Sequence, residues 1–209
     1  MIARRRLLSA LAAGGLGLTS AGCISVFPKS KEAVLYRFGA AAPPSRLAPT
    51  GPRAGVLKLG ATFPRASGGD RILGITGSHA AFLAETRWMA PAATLFDEAV
   101  AQAFDGGDGV ARLITRGEAG RADFALRLDM RNFEAVYLDG DKAAPTVLVR
   151  LRAVMLRSSD RTLAGETLLE ARVKAGENRI SAIVAAFNEA VGKVITDLVA
   201  WTDETAAKG

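Results

Sequence analysis

The 209-residue sequence contains one cysteine and one histidine, and these shortages exclude several kinds of site. A single cysteine excludes an intramolecular disulfide, so side-chain burial has to stabilise the fold. A zinc site or a histidine-based catalytic triad needs more such side chains than the chain supplies. The phosphate-binding pattern GxxxxGK[ST] of ATPases is also absent. Beyond residue 22, no uncharged stretch reaches the length of about 20 apolar residues that a membrane-spanning helix requires.

Residues 1–22 have the layout of a secretory signal peptide. Arg4-Arg5-Arg6 precedes an uncharged segment that ends in small residues. The end of this segment together with the next residue, Ser20-Ala21-Gly22-Cys23, resembles a bacterial lipobox. This resemblance implies cleavage before Cys23 and attachment of lipid to that cysteine. The alternative is an ordinary secreted protein, cleaved nearby, with a free thiol. The three arginines fit either a twin-arginine export signal or a plain basic region.

Charge and composition define the rest of the chain as one domain. Removing residues 1–22 takes away three arginines and lowers the formal charge from +6 to +3. Proteins that bind nucleic acid usually carry a large, clustered positive charge, and a net charge of +3 is small, so we expect no nucleic-acid partner. We predict a lipidated N-terminus and tether over residues 23–32 and a single domain over residues 33–203. Residues 40–53 hold four of the eight prolines and are predicted to form a loop inside that domain.

Alternation of apolar and polar residues predicts a sheet. Short strands are expected over residues 33–38 and 56–59 and in a hairpin over 71–85, with His79 as an ordinary strand residue. Three longer runs, within residues 124–130, 147–155 and 163–174, each have one apolar and one charged face. Turn residues between these runs predict an antiparallel meander. Paired acids on the charged face, Glu166 and Glu170, are expected to face arginines of the neighbouring strand.

Two segments show the period of an amphipathic helix. Pro91 suits a helix start, apolar residues from Leu95 to Phe104 recur at helical spacing, and Gly106-Gly107 ends the segment. From Asn178 to Trp201 a stronger stripe, which includes Phe187, predicts a long C-terminal helix. Both stripes need an apolar partner, and the inner face of the meander supplies one. The predicted fold is therefore α+β, an antiparallel sheet with two helices packed on one face.

No combination of residues indicates catalysis or metal binding. Asp105-Gly106-Gly107-Asp108-Gly109 lacks the ligand spacing and closing glutamate of an EF-hand, and predicts a turn after the helix. No nucleophile is accompanied by a candidate base. We therefore expect a protein that is not an enzyme and that has no cofactor and no metal ion.

Several stretches resemble the ABC-type transport auxiliary lipoproteins, over residues from about Tyr36 to Trp201. The most specific is Glu85-Thr86-Arg87-Trp88-Met89-Ala90-Pro91, which is similar to the family's Arg-Trp-x-x-Pro stretch at the start of the first helix. Tyr36-Arg37-Phe38 is similar to an early Tyr-x-Leu strand of the family. Asp70-Arg71-Ile72-Leu73 lies where the family tends to have Asp-Arg-Pro followed by a strand.

This resemblance implies an accessory role in transport. Relatives work with an ABC transporter whose periplasmic subunit carries an Mce domain, in systems that move lipids or other hydrophobic compounds between the two membranes. A lipid anchor at Cys23 then implies a periplasmic position. Enterobacterial lipoproteins that stay at the inner membrane carry Asp after the lipidated cysteine, and here that residue is Ile24. The inner leaflet of the outer membrane is therefore favoured. A homo-oligomer is left open. The alternative is a stand-alone envelope lipoprotein with a structural role and no transporter.

The resemblance also indicates a candidate contact surface at Arg87, Trp88 and Pro91. Arginine and tryptophan are enriched among the residues that dominate protein interfaces, so these residues are expected to contribute to partner binding. The alternative is structural: the indole covers the start of the helix, and Arg87 pairs with Glu85 or Asp97. The sequence leaves both open.

Overall fold

The computed structural model describes residues 32–39, 53–107, 109–114, 117 and 120–209. The predicted signal peptide, Cys23, nearly all of the tether and nearly all of the proline-rich loop lie outside the described residues. The described residues belong to one unit, Glu32–Gly209.

Nine strands and two helices follow one another in the described part of the chain. In order they are β1 (Val34–Tyr36), β2 (Ala54–Lys58), β3 (Leu73–Thr76), β4 (His79–Phe82), β5 (Thr86–Trp88), α1 (Ala92–Asp105), β6 (Ala111–Ile114), β7 (Phe124–Val136), β8 (Thr146–Arg157), β9 (Leu163–Lys174) and α2 (Ile180–Ala207).

The three longest strands form the predicted antiparallel meander. β8 lies between β7 and β9, with Val149 opposite Phe133 on one side and Ala171 on the other. Alternate side chains of β7 and β8 are buried, among them Leu128 and Leu151 at 0% exposure. The period-two pattern therefore identified the inner face correctly, although β7 and β8 are longer than the runs that predicted them.

Four more strands (β2, β3, β4 and β6) extend the meander and make its sheet mixed instead of purely antiparallel. β2 runs parallel to both β6 and β7, and β3 runs parallel to the distal end of β7. Because β8 occupies one edge of β7 along its length, β2 and β3 share the other edge. The predicted hairpin is present as β3 and β4, which turn at Gly77-Ser78. The α+β class is confirmed, whereas the parallel pairings and the short strands β5 and β6 were not predicted.

Helix α2 covers the inner face of the meander, as its stripe predicted. It contacts β6, β8 and β9, and Phe187 and Leu198 are fully buried. The helix continues six residues beyond the predicted end at Trp201. Its last turns bury Thr202 and Thr205, whose hydroxyls donate to the carbonyls four residues earlier at 2.7 Å. These bonds satisfy the hydroxyls, so the polar residues do not interrupt the apolar face. Neither described helix combines the length and apolarity needed to cross a bilayer.

Helix α1 packs beside α2 and starts at the predicted proline. Pro91 is its N-cap residue and makes no side-chain cap. The amides of Ala92 and Ala93 instead donate to the carbonyls of Gly69 and Gly68, at 2.9 and 3.2 Å. These backbone acceptors satisfy donors that the first turn of a helix leaves free. The loop before β3 is thereby fixed to the start of α1.

The outer face of the meander carries a ladder of ion pairs, as predicted. Arg150 Nη2 lies 2.5 Å from Glu170 Oε2, and Arg152 Nε lies 2.7 Å from Glu166 Oε1. The guanidinium of Arg152 lowers the pKa of Glu166, chiefly through its hydrogen bond. Hydrogen bonds from Arg150 and Arg172 lower the pKa of Glu170 in the same way. The charged faces of β8 and β9 therefore stabilise each other across the strands.

Candidate partner-binding corner

A small parallel sheet holds the Arg87–Trp88 stretch in place. β1 and β5 pair with Leu35 opposite Arg87 and Tyr36 opposite Trp88. The amide of Met89 donates to the carbonyl of Tyr36 at 2.7 Å, and the amide of Val34 donates to the carbonyl of Glu85 at 2.9 Å. The early Tyr-containing strand and the Arg-Trp stretch are thus direct neighbours in the fold.

The Asp70 loop completes the arrangement. The amide of Trp88 donates to the Asp70 carbonyl at 2.7 Å. Arg87 Nη1 donates to Asp70 Oδ2 at 2.6 Å, with both side chains close to half exposed. Asp97, one of the expected partners of Arg87, is bound instead by Lys58 at 2.6 Å. All three stretches that carried the family resemblance therefore meet at one place.

Trp88 belongs to the core beneath this place. Its side chain is 2% exposed, and its ring meets Phe38 and Phe187 edge-on at centroid distances of 4.9 and 5.3 Å. Phe133 lies 6.3 Å away in the same cluster. Such edge-to-face contacts are favourable for aromatic rings. The indole thus connects β5 to the segment after β1, to β7 and to α2, and it has little surface to offer a partner.

The exposed side chains above Trp88 form the Arg87 corner, which we define as Leu35, Arg87, Met89 and Pro91. Leu35 and Met89 are 63% and 58% exposed, which is unusual for such large apolar residues. Arg87 and Pro91 are exposed as well. Of the three residues singled out by sequence, two lie on this surface and one supports it. Leu35 and Met89 were missed because neither shows its exposure in the sequence pattern.

Two depressions continue from the corner towards the helices. A cleft of about 190 Å³ lies between the end of β1 and α1, and Met89 and Glu98 are among its lining residues. A larger, mainly apolar groove of about 510 Å³ lies between α1 and α2 and includes Ala103 and Val199. The two share Gly39, Ala99 and Gln102, so they adjoin.

The described residues offer little for metal or acid–base chemistry. Within them, no three histidine, cysteine, aspartate or glutamate side chains are grouped as metal ligands would be. His79 is an exposed residue of β4, as the sequence predicted. The exposed corner combines one cation with apolar side chains, and such a surface is suited to contact with another macromolecule.

The sequence of the domain matches a family model. The model describes the ABC-type transport auxiliary lipoprotein component, and it matches residues 38–199. The chain belongs to this family. The matched residues include Arg87, Met89 and Pro91 of the corner, all of α1 and the part of α2 up to Val199, whereas Leu35 lies outside them. A search of curated proteins found no match.

Solved structures show the same fold as this auxiliary lipoprotein. Protein XCC0632 from Xanthomonas campestris, a DUF330 protein, is 24% identical, with 84% of this chain and 98% of that chain covered and a TM-score of 0.70. The hypothetical protein CT253 from Chlamydia trachomatis is 10% identical, with coverages of 75% and 99% and a TM-score of 0.54. At these identities the likeness establishes the fold of the auxiliary lipoprotein and not its partners.

Proposed function

We propose that this auxiliary lipoprotein is the lipid-anchored periplasmic component of an Mce-type ABC transport system that moves lipids or other hydrophobic compounds between the two membranes. The family match over residues 38–199 carries the proposal. The anchor is Cys23, which follows the lipobox-like exit of the predicted signal peptide over residues 1–22. Residues 23–32 form the tether, and Ile24 favours the inner leaflet of the outer membrane.

In this proposal the protein acts by binding its partner, the Mce-domain subunit, through the Arg87 corner. The corner supplies exposed apolar area from Leu35 and Met89 around one cation. Its backbone is held by β1, the Asp70 loop and the aromatic cluster, so binding requires little ordering. Trp88 acts as a positioning residue because its indole fixes β5 from below.

Co-purification of the full chain with the Mce-domain subunit in mild detergent tests this surface. Arg87→Ala removes an exposed ion pair, which contributes only about 0.2–1 kcal/mol to stability. We expect it to fold normally and to bind at least about tenfold more weakly, the size of a modest interface hot spot. Arg127→Ala, an exposed arginine on the outer face of β7, is the matched control and should bind normally.

Trp88→Ala distinguishes support from contact. Because its ring is buried, the variant should lose stability and binding together, whereas Arg87→Ala should lose binding alone. Full binding by a folded Arg87→Ala/Met89→Ser double variant would exclude the corner. Absence of any Mce-domain, permease and ATPase genes beside this one would instead favour the stand-alone envelope lipoprotein.

A further inference from the structure

Strand β1 has one edge that faces away from its neighbouring strand. In the described part of the chain, β1 pairs only with β5, in a two-stranded parallel sheet. Val34 and Leu35 are 55% and 63% exposed, and Arg37, just after the strand, is exposed as well. A strand edge of this kind carries backbone donors and acceptors that can pair with a further strand.

The ladder with β5 shows which backbone groups of β1 point outward. The amide of Val34 and the carbonyl of Tyr36 bond to the two residues that flank β5, at 2.9 and 2.7 Å. Every second residue of a strand faces the same neighbour, so Val34 and Tyr36 bond to β5 with both their amides and their carbonyls. Leu35 and Arg37 therefore direct both groups to the opposite edge. Among the described residues, no backbone hydrogen bond uses these outward groups.

A partner that covers the Arg87 corner also covers this edge. Leu35 belongs to the corner, and Arg37 lines the adjoining cleft together with Met89. A backbone amide or carbonyl that loses water needs a new hydrogen-bond partner, because leaving it unpaired is costly. An extended segment supplies donors and acceptors at the spacing of a strand, whereas a helix has already used its own backbone groups. The edge of β1 therefore favours a partner segment in the extended conformation.

The charge beside the edge indicates what this segment carries. Within the described ranges, the Arg37 guanidinium has no ion-pair partner, whereas Arg87 is bound by Asp70. Glu98 lines the same cleft without forming an ion pair with Arg37. Opposite charges on neighbouring strands stabilise their pairing, so a carboxylate on the added segment is the complement of Arg37.

We infer that the Mce-domain subunit adds an extended segment to the outer edge of β1 and places a carboxylate against Arg37. This inference rests on the proposed function and specifies how the Arg87 corner is bound. The small sheet grows from two strands to three in the complex. Since the Asp70 loop and Trp88 already hold β5 and its neighbour in place, the addition requires little ordering of this chain.

Amide hydrogen exchange, read residue by residue on the full mature chain with and without the purified Mce-domain subunit, tests the inference. In the free protein, the amides of Leu35 and Arg37 should exchange much faster than those of Val34 and Tyr36, which bond to β5. Saturation with the subunit should slow exchange at Leu35 and Arg37 by at least about tenfold, because both amides become hydrogen-bonded.

Substitution at Leu35 separates backbone pairing from side-chain contact. Leu35→Pro removes the outward amide, which β5 does not use, so the variant should remain folded by thermal melting. Leu35→Val keeps the amide, has a side chain of similar size to proline, and is the matched control. It should bind the subunit within about fourfold of the wild type, because it loses one methylene group. Leu35→Pro should bind at least about tenfold more weakly than Leu35→Val, because one hydrogen bond is lost and its acceptor is left unpaired.

Arg37→Glu tests the charge. It should weaken binding by at least about tenfold, because it sets a carboxylate against the carboxylate of the added segment. Arg37→Lys keeps the charge and should bind close to the wild type. Arg127→Glu changes the net charge by the same amount on the outer face of β7, and it should bind normally.

Slow exchange of the Leu35 amide in the free protein would overturn the inference, because the edge would already be covered by another part of the chain or by another copy. Binding that leaves exchange at Leu35 and Arg37 unchanged would also overturn it, as would a folded Leu35→Pro that binds as Leu35→Val does. Normal binding by Arg37→Glu would remove the carboxylate from the inference. In each of these cases, weaker binding by Arg87→Ala still supports the proposed function. If the subunit does not bind the wild type at all, the proposed function and this inference fail together.

Discussion

Phe187→Ala should remove the largest single share of stability that one side chain of α2 provides. The ring is 0% exposed and lies at centroid distances of 5.3 Å from Trp88 and 5.0 Å from Phe133. Truncating a buried phenylalanine to alanine costs about 3–5 kcal/mol, because apolar burial is lost and a cavity remains. A domain has only about 5–15 kcal/mol of stability in total. The variant should therefore be close to the limit of folding.

Thermal melting and urea denaturation measure this loss. For a domain of this size, each kcal/mol changes the melting temperature by about 2–4 °C, so a decrease of about 6–20 °C is expected. Phe82→Ala is the matched control, since that ring is 36% exposed on β4 and has the Arg71 guanidinium 4.2 Å from its centroid. Its cost should be about 1–2 kcal/mol, clearly smaller than that of Phe187→Ala, because less apolar area is removed from water and an exposed cation–π contact contributes only about 0.5–1 kcal/mol.

The comparison of the two phenylalanines can refute the packing described for α2. Equal, small losses in both variants would mean that Phe187 is not enclosed by Trp88 and Phe133. A folded Phe187→Asp variant with an unchanged melting temperature would be still stronger contradiction, because a buried carboxylate without a partner is very costly.

Other substitutions test separate features of the structure. Gly55→Ala should lower the unfolding free energy by about 1–3 kcal/mol, because its Cβ would lie 2.1 Å from a backbone carbonyl oxygen. Gly192→Ala should raise the unfolding free energy by about 0.5–1 kcal/mol, because its Cβ would meet nothing within 4 Å. Denaturation curves that rank the two variants in the reverse order would contradict this. The hydrogen bond from Arg152 lowers the pKa of Glu166 in the folded state, so the ionised carboxylate stabilises the fold at neutral pH. This stabilisation is lost as the pH falls below about 4.3, the ordinary pKa of a glutamate. Glu166→Gln should flatten this part of the stability–pH curve, and an equally steep loss of stability in acid would refute the prediction. Cys23→Ser should abolish lipid attachment and release the protein from membranes; an unmodified mature terminus at another residue in the wild type, read by mass spectrometry, would exclude the anchor.

Residue periodicity predicted the elements that bury one face. The stripe around Phe187 identified α2, and the alternation in β7, β8 and β9 identified their inner face, because each pattern follows from local backbone geometry. Glu166 and Glu170 pair with arginines of β8, as predicted, because a short turn brings consecutive strands next to each other in the sheet. These features depend on residues that are close together in the sequence, so a short stretch of sequence is enough to predict them.

The candidate partner-binding corner could be predicted only in part from the sequence. Arg87 and Pro91 are exposed as a contact surface requires, but the pattern that singled out Trp88 does not distinguish a buried indole from an exposed one. The partner of Arg87 proved to be Asp70, 17 residues away, and not Asp97. Leu35 joined the surface only because β1 pairs with β5 across the fold.

The sequence by itself therefore determined the α+β class, both helices and the meander, since each is encoded by a contiguous pattern. Lipid attachment at Cys23 stays a prediction from the lipobox-like motif. Tertiary structure alone decided the parallel pairing of β2 with β6 and β7, the burial of Trp88 and the assembly of the Arg87 corner. The physical reason is the same in each case. These features arise from contacts between segments far apart in the chain, and such contacts are selected by the packing of the whole core and not by the preferences of any one segment.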